Sequence, residues 1–439
     1  MNLNRAWLFS PTAPALLLLF GLTFGFAIAH ITGVTWAPLA TRIYYGGLFL
    51  WGGLVLVKRR QMLRQLGLID YLFLVFFVFI VASLAIQHQG NAAVAYYAKL
   101  LPFLVLLPYC LGRLTEKPDL DAIMRALPGL GVLLLVLTVV DYWWMPDNEI
   151  LYTRWKYFGI NHSPLLIAML VSVAMLALSH RLVKKSDVER PEPGWKLVLA
   201  WCAFSGMAMA SVLIAARGAF IACTLALVLM MAAMRGRWLS KTLVLGCFAL
   251  VTSVTLYMLP TPTAQFYARL QIMVDEVPAL AVNSPEYAEM QTRIKSDPQC
   301  KPIVDGVNSV AIRRVLYQES IDMALQHPVF GVGATNFGRY SCGGLGAYPH
   351  SSVLQAFAEL GVVGGGALLA LFVVSFVSVV RAHVLTTNPT HNDHVFWLAL
   401  IAFFGLADQI YGNYFMAVGS FFLFGVAARL RMRSDTFLL

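Results

Sequence analysis

The chain contains twelve apolar runs, each about long enough to cross a lipid bilayer as one helix. They cover about 12–31, 37–57, 69–87, 92–112, 124–144, 164–180, 197–215, 218–234, 240–260, 351–380, 393–410 and 414–430. A crossing needs about 20 apolar residues. The stretch 197–234 is too long for one crossing and carries Arg217 and Gly218 near its middle, so we divide it into two antiparallel helices. The sequence therefore predicts an all-α polytopic membrane protein.

Composition and charge agree with this fold class. Hydrophobic residues make up 59% of the chain and charged residues 12%, which excludes an ordinary soluble protein. The net charge of +10 is typical of nucleic-acid-binding proteins, but here the basic residues are scattered in short clusters between apolar runs. We therefore expect no nucleic-acid partner and attribute the excess to the positive-inside rule.

The basic residues also predict an orientation. Twenty of the 32 Lys and Arg residues fall in alternate gaps, and these gaps are cytoplasmic if both termini are cytoplasmic. The first apolar run has no small-residue cleavage site after it, so we read it as a retained span. The predicted organisation is nine spans in 1–260, a large external loop with short helices over 261–349 that acts as a lid, and three spans in 350–439. Cys300 and Cys342 share the loop and can form a disulfide if that side is oxidising.

Several cations fall on the outer side, at or within predicted spans. They are Arg42, Lys99, Arg154, Lys156 and Arg217. An ionised group in hydrocarbon is costly unless it faces a cavity or a counter-charge, so such residues indicate a functional site. A cluster near one membrane face predicts an anionic ligand there, such as a lipid diphosphate. The alternative for the more superficial members is that they extend to lipid headgroups.

The stretch 311–366 concentrates further polar features at the entrance of a membrane helix. Arg313 and Arg314 open an amphipathic helical pattern, and a guanidinium is suited to phosphate oxygens. A glycine-rich segment then permits tight turning. His350 falls at the cap or first turn of the next helix, where Ser351 and Ser352 can satisfy the unpaired N–H groups. The positive end of that helix favours a neutral imidazole able to act as a base. The simpler interpretation is that the arginines contact headgroups and the histidine belongs to the cap.

Two acidic residues near the same side receive different interpretations. Asp408, at the outer end of the eleventh span in ADQIYGNY, is placed to pair with an arginine or orient a histidine. Glu359 is expected to make a structural hydrogen bond. No metal-binding motif is present, and GVGATNFG lacks the preceding strand of a dinucleotide-binding loop, so we expect neither a metal nor a cofactor.

These motifs resemble a known family. The segment HPVFGVGATNF, preceded by Arg313 and followed by the start at His350 and by ELGVVGGG, is similar to the C-terminal signature shared by bacterial O-antigen ligases, O-antigen polymerases and protein O-oligosaccharyltransferases. The AARGAF turn resembles a Ser-Arg-Gly element of these proteins, with Ala216 in place of Ser. Tyr317 stands where Trp is usual. KYFGINHSP is similar to a stretch that precedes one of their spans.

The resemblance implies a GT-C-like glycosyltransferase of the bacterial inner membrane with a periplasmic loop and active site. The donor would be a glycan on undecaprenyl diphosphate, transferred with inversion and without a metal. Arg217 and Arg313 would bind the diphosphate and His350 would activate the acceptor hydroxyl, with Asp408 in support. Weaker diphosphate-binding candidates are Arg314, Arg42, Lys99, Arg154 and Lys156.

Among these relatives the sequence favours the ligase, whose acceptor is the lipid A-core oligosaccharide of lipopolysaccharide. Polymerases tend to have two sizeable periplasmic loops, and protein transferases tend to carry an added C-terminal region. An organic-anion transporter is the alternative from another class, and it predicts charges near the bilayer midplane and internal repeats. The expected partners are therefore the lipid-linked donor, the lipid A-core acceptor and the surrounding membrane lipids.

Overall fold

A computed structural model describes residues 9–33, 38–86, 92–144, 164–185, 194–214, 216–258, 309–341, 348–385 and 391–435. Within these ranges the chain is helical and contains no strand. We number the long helices in chain order as α1 (Thr12–Ile31), α2 (Pro38–Lys58), α3 (Leu68–Ile86), α4 (Val94–Arg113), α5 (Lys117–Trp144), α6 (Pro164–Lys185), α7 (Gly194–Leu213), α8 (Arg217–Ala233), α9 (Trp238–Met258), α10 (Ser309–Gln326), α11 (Ser352–Leu385), α12 (His391–Ile410) and α13 (Val418–Asp435).

The predicted fold class is confirmed, because each of the twelve apolar runs overlaps one of these helices. Ten helices in the described ranges are long and apolar enough to cross a membrane. Of the other predicted spans, α8 has 17 residues and α13 has a basic second half. The predicted break between the seventh and eighth spans is correct, since α7 ends at Leu213 and α8 begins at Arg217. The total of twelve spans and the three-part division remain predictions.

One end of the bundle is rich in ion pairs, and we call it the basic end. Arg113 Nε lies 2.9 Å from Asp70 Oδ1, and Lys184 Nζ lies 2.6 Å from Asp393 Oδ1. Further pairs there are Arg59–Asp119 and Arg429–Glu116. These residues lie at or beside the ends of α2, α4, α6 and α13 and the starts of α3, α5 and α12. The basic clusters of the sequence predict this alternation.

The helices run back and forth, so the opposite end of the bundle holds the other terminus of each. There lie the starts of α8 and α11 and the end of α12. We call this the site end.

α5 begins at Lys117 rather than near 124, because Pro118 fits a first helical turn and Asp119 favours the positive helix start.

The tightest packing between helices joins α4 to α13 through a pair of glycines. A Cβ atom on Gly112 would lie 2.0 Å from the Phe422 carbonyl oxygen, and one on Gly425 would lie 2.2 Å from the Tyr109 carbonyl oxygen. Small residues allow membrane helices to approach this closely and gain van der Waals contact. The pair therefore holds α13 against the first half of the bundle.

Replacing Gly112 with valine is expected to separate α4 from α13. The added side chain would meet backbone atoms, which cannot move aside as a flexible side chain can, and overpacking of this kind typically costs about 1–3 kcal/mol. The measurement is the yield of monodisperse protein by size-exclusion chromatography in detergent. Gly53→Val in α2 is the matched control, because a Cβ there meets nothing within 4 Å. Equal yields of the two variants would contradict the packing argument.

Candidate active site

The site end is organised around the polar residues that finish α12. Gln409 lies in the last turn of α12, and Tyr411 follows the helix directly. Between them they contact the start of α8, the first half of α10 and the residues that open α11. Three segments that are distant in sequence are thus attached to one short stretch.

Arg217 is held beside Tyr411 by the first turn of α8. The Gly218 N–H donates a hydrogen bond to Tyr411 Oη at 2.6 Å. A Cβ on Gly218 would lie 2.4 Å from Tyr411 Cε2 and 2.5 Å from Ile410 Cγ2, so only glycine allows this approach. Arg217 is half-buried. It lies at the junction of α7 and α8, where the sequence divides the long apolar run.

Arg313 reaches the same tyrosine from α10. Its guanidinium carbon lies 5.0 Å from the centroid of the Tyr411 ring, within the range of a cation–π interaction. One helical turn on, Tyr317 Oη donates to the Gln409 carbonyl oxygen at 3.2 Å. Burial raises the pKa of Tyr317, and the Arg313 charge offsets part of that rise, so the phenol stays protonated and able to donate.

His350 enters the site through the cap of α11. Ser351 Oγ accepts a hydrogen bond from the Leu354 N–H at 3.3 Å, which confirms the predicted cap, and donates one to Gln409 Oε1 at 2.8 Å. His350 therefore stands one residue before the cap, with its ring centroid 4.4 Å from that of Tyr348.

The backbone of His350 is in the left-handed region, with φ at 58°. Such a conformation costs a non-glycine residue about 1–3 kcal/mol, and residues held this way cluster at functional sites. In the described part of the chain the other non-glycine residue with positive φ is Thr335. Both belong to the segment in which the sequence places the chemistry.

The remaining predicted site residues have different positions. Arg42 and Lys99 are exposed on α2 and α4, and the contacts described for Gln409 and Tyr411 do not involve them. Arg314 is half-buried beside Arg313. The other candidates lie outside the described residues, namely Arg154, Lys156, Cys300 and Cys342.

Asp408 is buried next to Gln409 but is bonded to α13. It is 4% exposed, and its Oδ2 accepts a hydrogen bond from Ser420 Oγ at 2.6 Å. This bond attaches the end of α12 to α13. A role toward an arginine or the histidine stays a prediction, while the observed bond gives Asp408 a structural one.

The glycine-rich turn after α10 docks onto a break in α11. Gly361 has φ at 67° and interrupts the helix. The Val332 and Gly333 N–H groups donate to the carbonyl oxygens of Ala358 and Glu359 at 2.8 and 2.9 Å. A Cβ on Gly331 would lie 2.3 Å from the Glu359 carbonyl carbon, so the glycines let one backbone lie against another. The turn fixes α10 relative to α11, and hence Arg313 relative to His350.

Glu359 makes the structural hydrogen bonds that the sequence predicts. Its carboxylate is 1% exposed and accepts from the Phe337 N–H at 3.1 Å and from Tyr414 Oη at 2.5 Å. Glu359 thereby joins the turn, α11 and the connection between α12 and α13.

Sequence reasoning missed Gln409 and Tyr411, which connect the three predicted residues. The available signal was a run of polar side chains at the end of an apolar span, in DQIY, of which only Asp408 was used. Within the described residues no cluster of three or more His, Cys, Asp or Glu side chains suited to a metal ion occurs.

The fold and site define a polytopic helical membrane protein with arginines and a histidine gathered at one end of its bundle. Residues 202–369 match the family model described as O-antigen ligase. The match runs from α7 into α11 and contains Arg217, Arg313 and His350. Members of this family are glycosyltransferase-like ligases and polymerases that act in lipopolysaccharide biosynthesis. No curated protein matches the chain.

Proposed function

We propose that the protein is an O-antigen ligase that transfers a glycan from undecaprenyl diphosphate to lipid A-core oligosaccharide. The observation that carries the proposal is the attachment of three elements to one stretch of α12. The Arg313 guanidinium lies over the Tyr411 ring, and Gly218, the residue after Arg217, donates its N–H to the same tyrosine. The His350 segment is bonded through Ser351 to Gln409, two residues earlier. Two cations and a candidate base are thus assembled at the same end of the membrane helices.

The two arginines provide the charge that the leaving group requires. In the transfer, an acceptor hydroxyl oxygen bonds to the anomeric carbon while the bond from that carbon to the diphosphate oxygen breaks. Negative charge grows on the departing diphosphate, and two guanidinium groups stabilise it without a divalent ion. The cation–π contact with Tyr411 restrains the Arg313 guanidinium, whose in-plane N–H groups suit phosphate oxygens.

His350 supplies the base for the attacking hydroxyl. The hydroxyl proton passes to the imidazole as the new glycosidic bond forms, which requires a neutral histidine at neutral pH. Its position just before the positive end of α11 disfavours the imidazolium ion. One displacement at the anomeric carbon inverts its configuration, so an inverting and metal-independent reaction is expected.

The orientation follows from the positions of the cations. The basic end carries the clusters that the positive-inside rule assigns to the cytoplasm, with both chain termini. The protein then lies in the bacterial inner membrane, with the site end facing the periplasm. Lipid-linked donor and lipid A-core would meet there, each anchored in the membrane, which converts a bimolecular encounter into an oriented one.

The test is transfer by the purified protein in nanodiscs with a polyprenyl-diphosphate glycan as donor and EDTA present throughout. Lipid A-core, a second donor molecule and an acceptor protein are supplied in separate reactions. A product on lipid A-core supports the ligase. A longer glycan on the donor lipid would instead show a polymerase, and a glycosylated protein would show a protein transferase. Uptake of an organic anion by proteoliposomes without transfer would show a transporter.

A further inference from the structure

A groove at the basic end, far from the candidate active site, has the shape and charge of a lipid-binding site. It lies among α5, α6 and α7 and has a volume of about 240 Å³. Its lining includes Gly129 and Val132 of α5, Leu178 and Arg181 of α6, and Lys196 and Ala203 of α7. The walls are therefore apolar, and the charged lining residues are both cations.

The two cations lie apart from the contacts that α6 makes with α12. His180 and Lys184 of α6 turn toward α12, where they contact the Asn392 carbonyl oxygen at 3.0 Å and Asp393 at 2.6 Å. Arg181 is displaced from them around the helix and lines the groove with Lys196. No acidic residue is among the described residues that line it.

The opening of the groove has the composition of a membrane interface. Trp195 is 62% exposed, and Lys196 Nζ lies 5.6 Å from the centroid of its ring. Exposed tryptophan and basic residues together are typical of the headgroup level. The next residues of α7, at 197–199, are exposed and apolar, as expected for a surface in contact with acyl chains.

Gly129 of α5 lines the groove and leaves space in it. It follows Pro128, which lacks the N–H needed to continue the hydrogen bonds of α5. A Cβ on Gly129 would meet nothing within 4 Å, so the absence of a side chain leaves open space between the helices. Two residues further along α5, a Cβ on Gly131 would lie 2.2 Å from Ala174 Cβ of α6. The two helices are therefore closely packed beside the groove.

From these features we propose that one phospholipid with an anionic headgroup binds in this groove, with its phosphate at Arg181 and Lys196 and an acyl chain along Val132 and Ala203. Basic pockets between membrane helices on the cytoplasmic side bind anionic lipids. The groove joins a cationic opening to an apolar slot, so a ligand that fills both needs an anionic group and an acyl chain. The proposal does not depend on the transfer reaction.

The test is native mass spectrometry of the full chain, delipidated in detergent and then titrated with phosphatidylglycerol or phosphatidylcholine. The wild-type protein is expected to retain one phosphatidylglycerol in preference to phosphatidylcholine. Each cation near a membrane surface contributes roughly a fivefold preference. Arg181→Gln with Lys196→Gln should therefore lower the preference by about 25-fold. Gly129→Leu should lower retention of both lipids, because leucine fills the slot.

Gly246→Leu in α9 is the matched control, since a Cβ there also meets open space but lies away from the groove. It should retain phosphatidylglycerol as the wild type does, and it separates filling of the groove from a general effect of an added leucine. Equal retention by Gly129→Leu and Gly246→Leu would overturn the proposal. So would a wild-type protein that retains no lipid, or a charge-neutralised variant with unchanged preference.

Discussion

Replacing His350 with alanine is expected to lower the rate of glycan transfer by about 10²- to 10⁴-fold, the range that a positioned general base contributes. The variant should still insert and fold, because the cap of α11 is made by Ser351 and not by the imidazole. The loss should fall on kcat, with little change in the donor KM, since diphosphate binding is assigned to the arginines. The measurement is steady-state transfer to lipid A-core across a range of pH.

Two further variants separate the chemistry of His350 from its backbone strain. Asparagine tolerates a positive φ but cannot accept a proton at neutral pH, so His350→Asn should be as inactive as the alanine variant. His350→Gly relieves the strain and should be more stable yet inactive. Lys58→Ala at the basic end, where Lys58 lies over the Phe9 ring, should leave activity unchanged. Full activity of His350→Asn would remove the histidine as the base.

The helices of this protein could be predicted because each depends on local hydropathy. An apolar run of about 20 residues has one stable form in a bilayer, and the pair Arg217 and Gly218 marked where a long run divides. Likewise, a serine followed by an apolar run predicted the cap of α11. Each of these features depends on residues that are consecutive in the chain.

The arrangement of the site could not be predicted in the same way, because its contacts join residues far apart in the chain. Gly218 and Tyr411 are separated by 193 positions, and Ser351 and Gln409 by 58. No local pattern shows that a tyrosine after one helix accepts a hydrogen bond from the start of another. The cations and the histidine could be predicted from the sequence. Gln409 and Tyr411, which connect them, could be identified only from the packing of the helices.

The glycine-rich turn after α10 could also be predicted only in part from the sequence. Its glycines predicted tight turning, and Gly331 and Gly333 do have positive φ. Their partner, however, is the break at Gly361 in a helix whose sequence contains no proline and reads as one continuous span. Two breaks that are each unfavourable alone become stable by exchanging backbone hydrogen bonds, and neither segment shows this by itself.

Replacing Arg313 with alanine is expected to lower transfer by about 10²- to 10³-fold, comparable to the removal of one preorganised group that stabilises transition-state charge. Because the charge on the diphosphate grows as its bond to the sugar breaks, kcat should fall more than the affinity for the donor. Arg313→Lys keeps the charge but loses the guanidinium that lies over the Tyr411 ring and its paired donors, so it should recover only part of the rate. The measurement is kcat and KM for the donor in the nanodisc assay.

Tyr411 provides the internal test of this assignment, since it contacts both arginine-bearing helices. Tyr411→Phe keeps the ring beneath Arg313 but removes the acceptor for the Gly218 N–H, whereas Tyr411→Leu removes both. Tyr411→Leu should therefore be the less active of the two. If the ring holds Arg313 in place, Arg313→Ala should cost less in the Tyr411→Leu background, with a coupling energy of about 0.5–3 kcal/mol. Strict additivity would mean that Tyr411 does not position Arg313, and the cationic site would then need another organising residue.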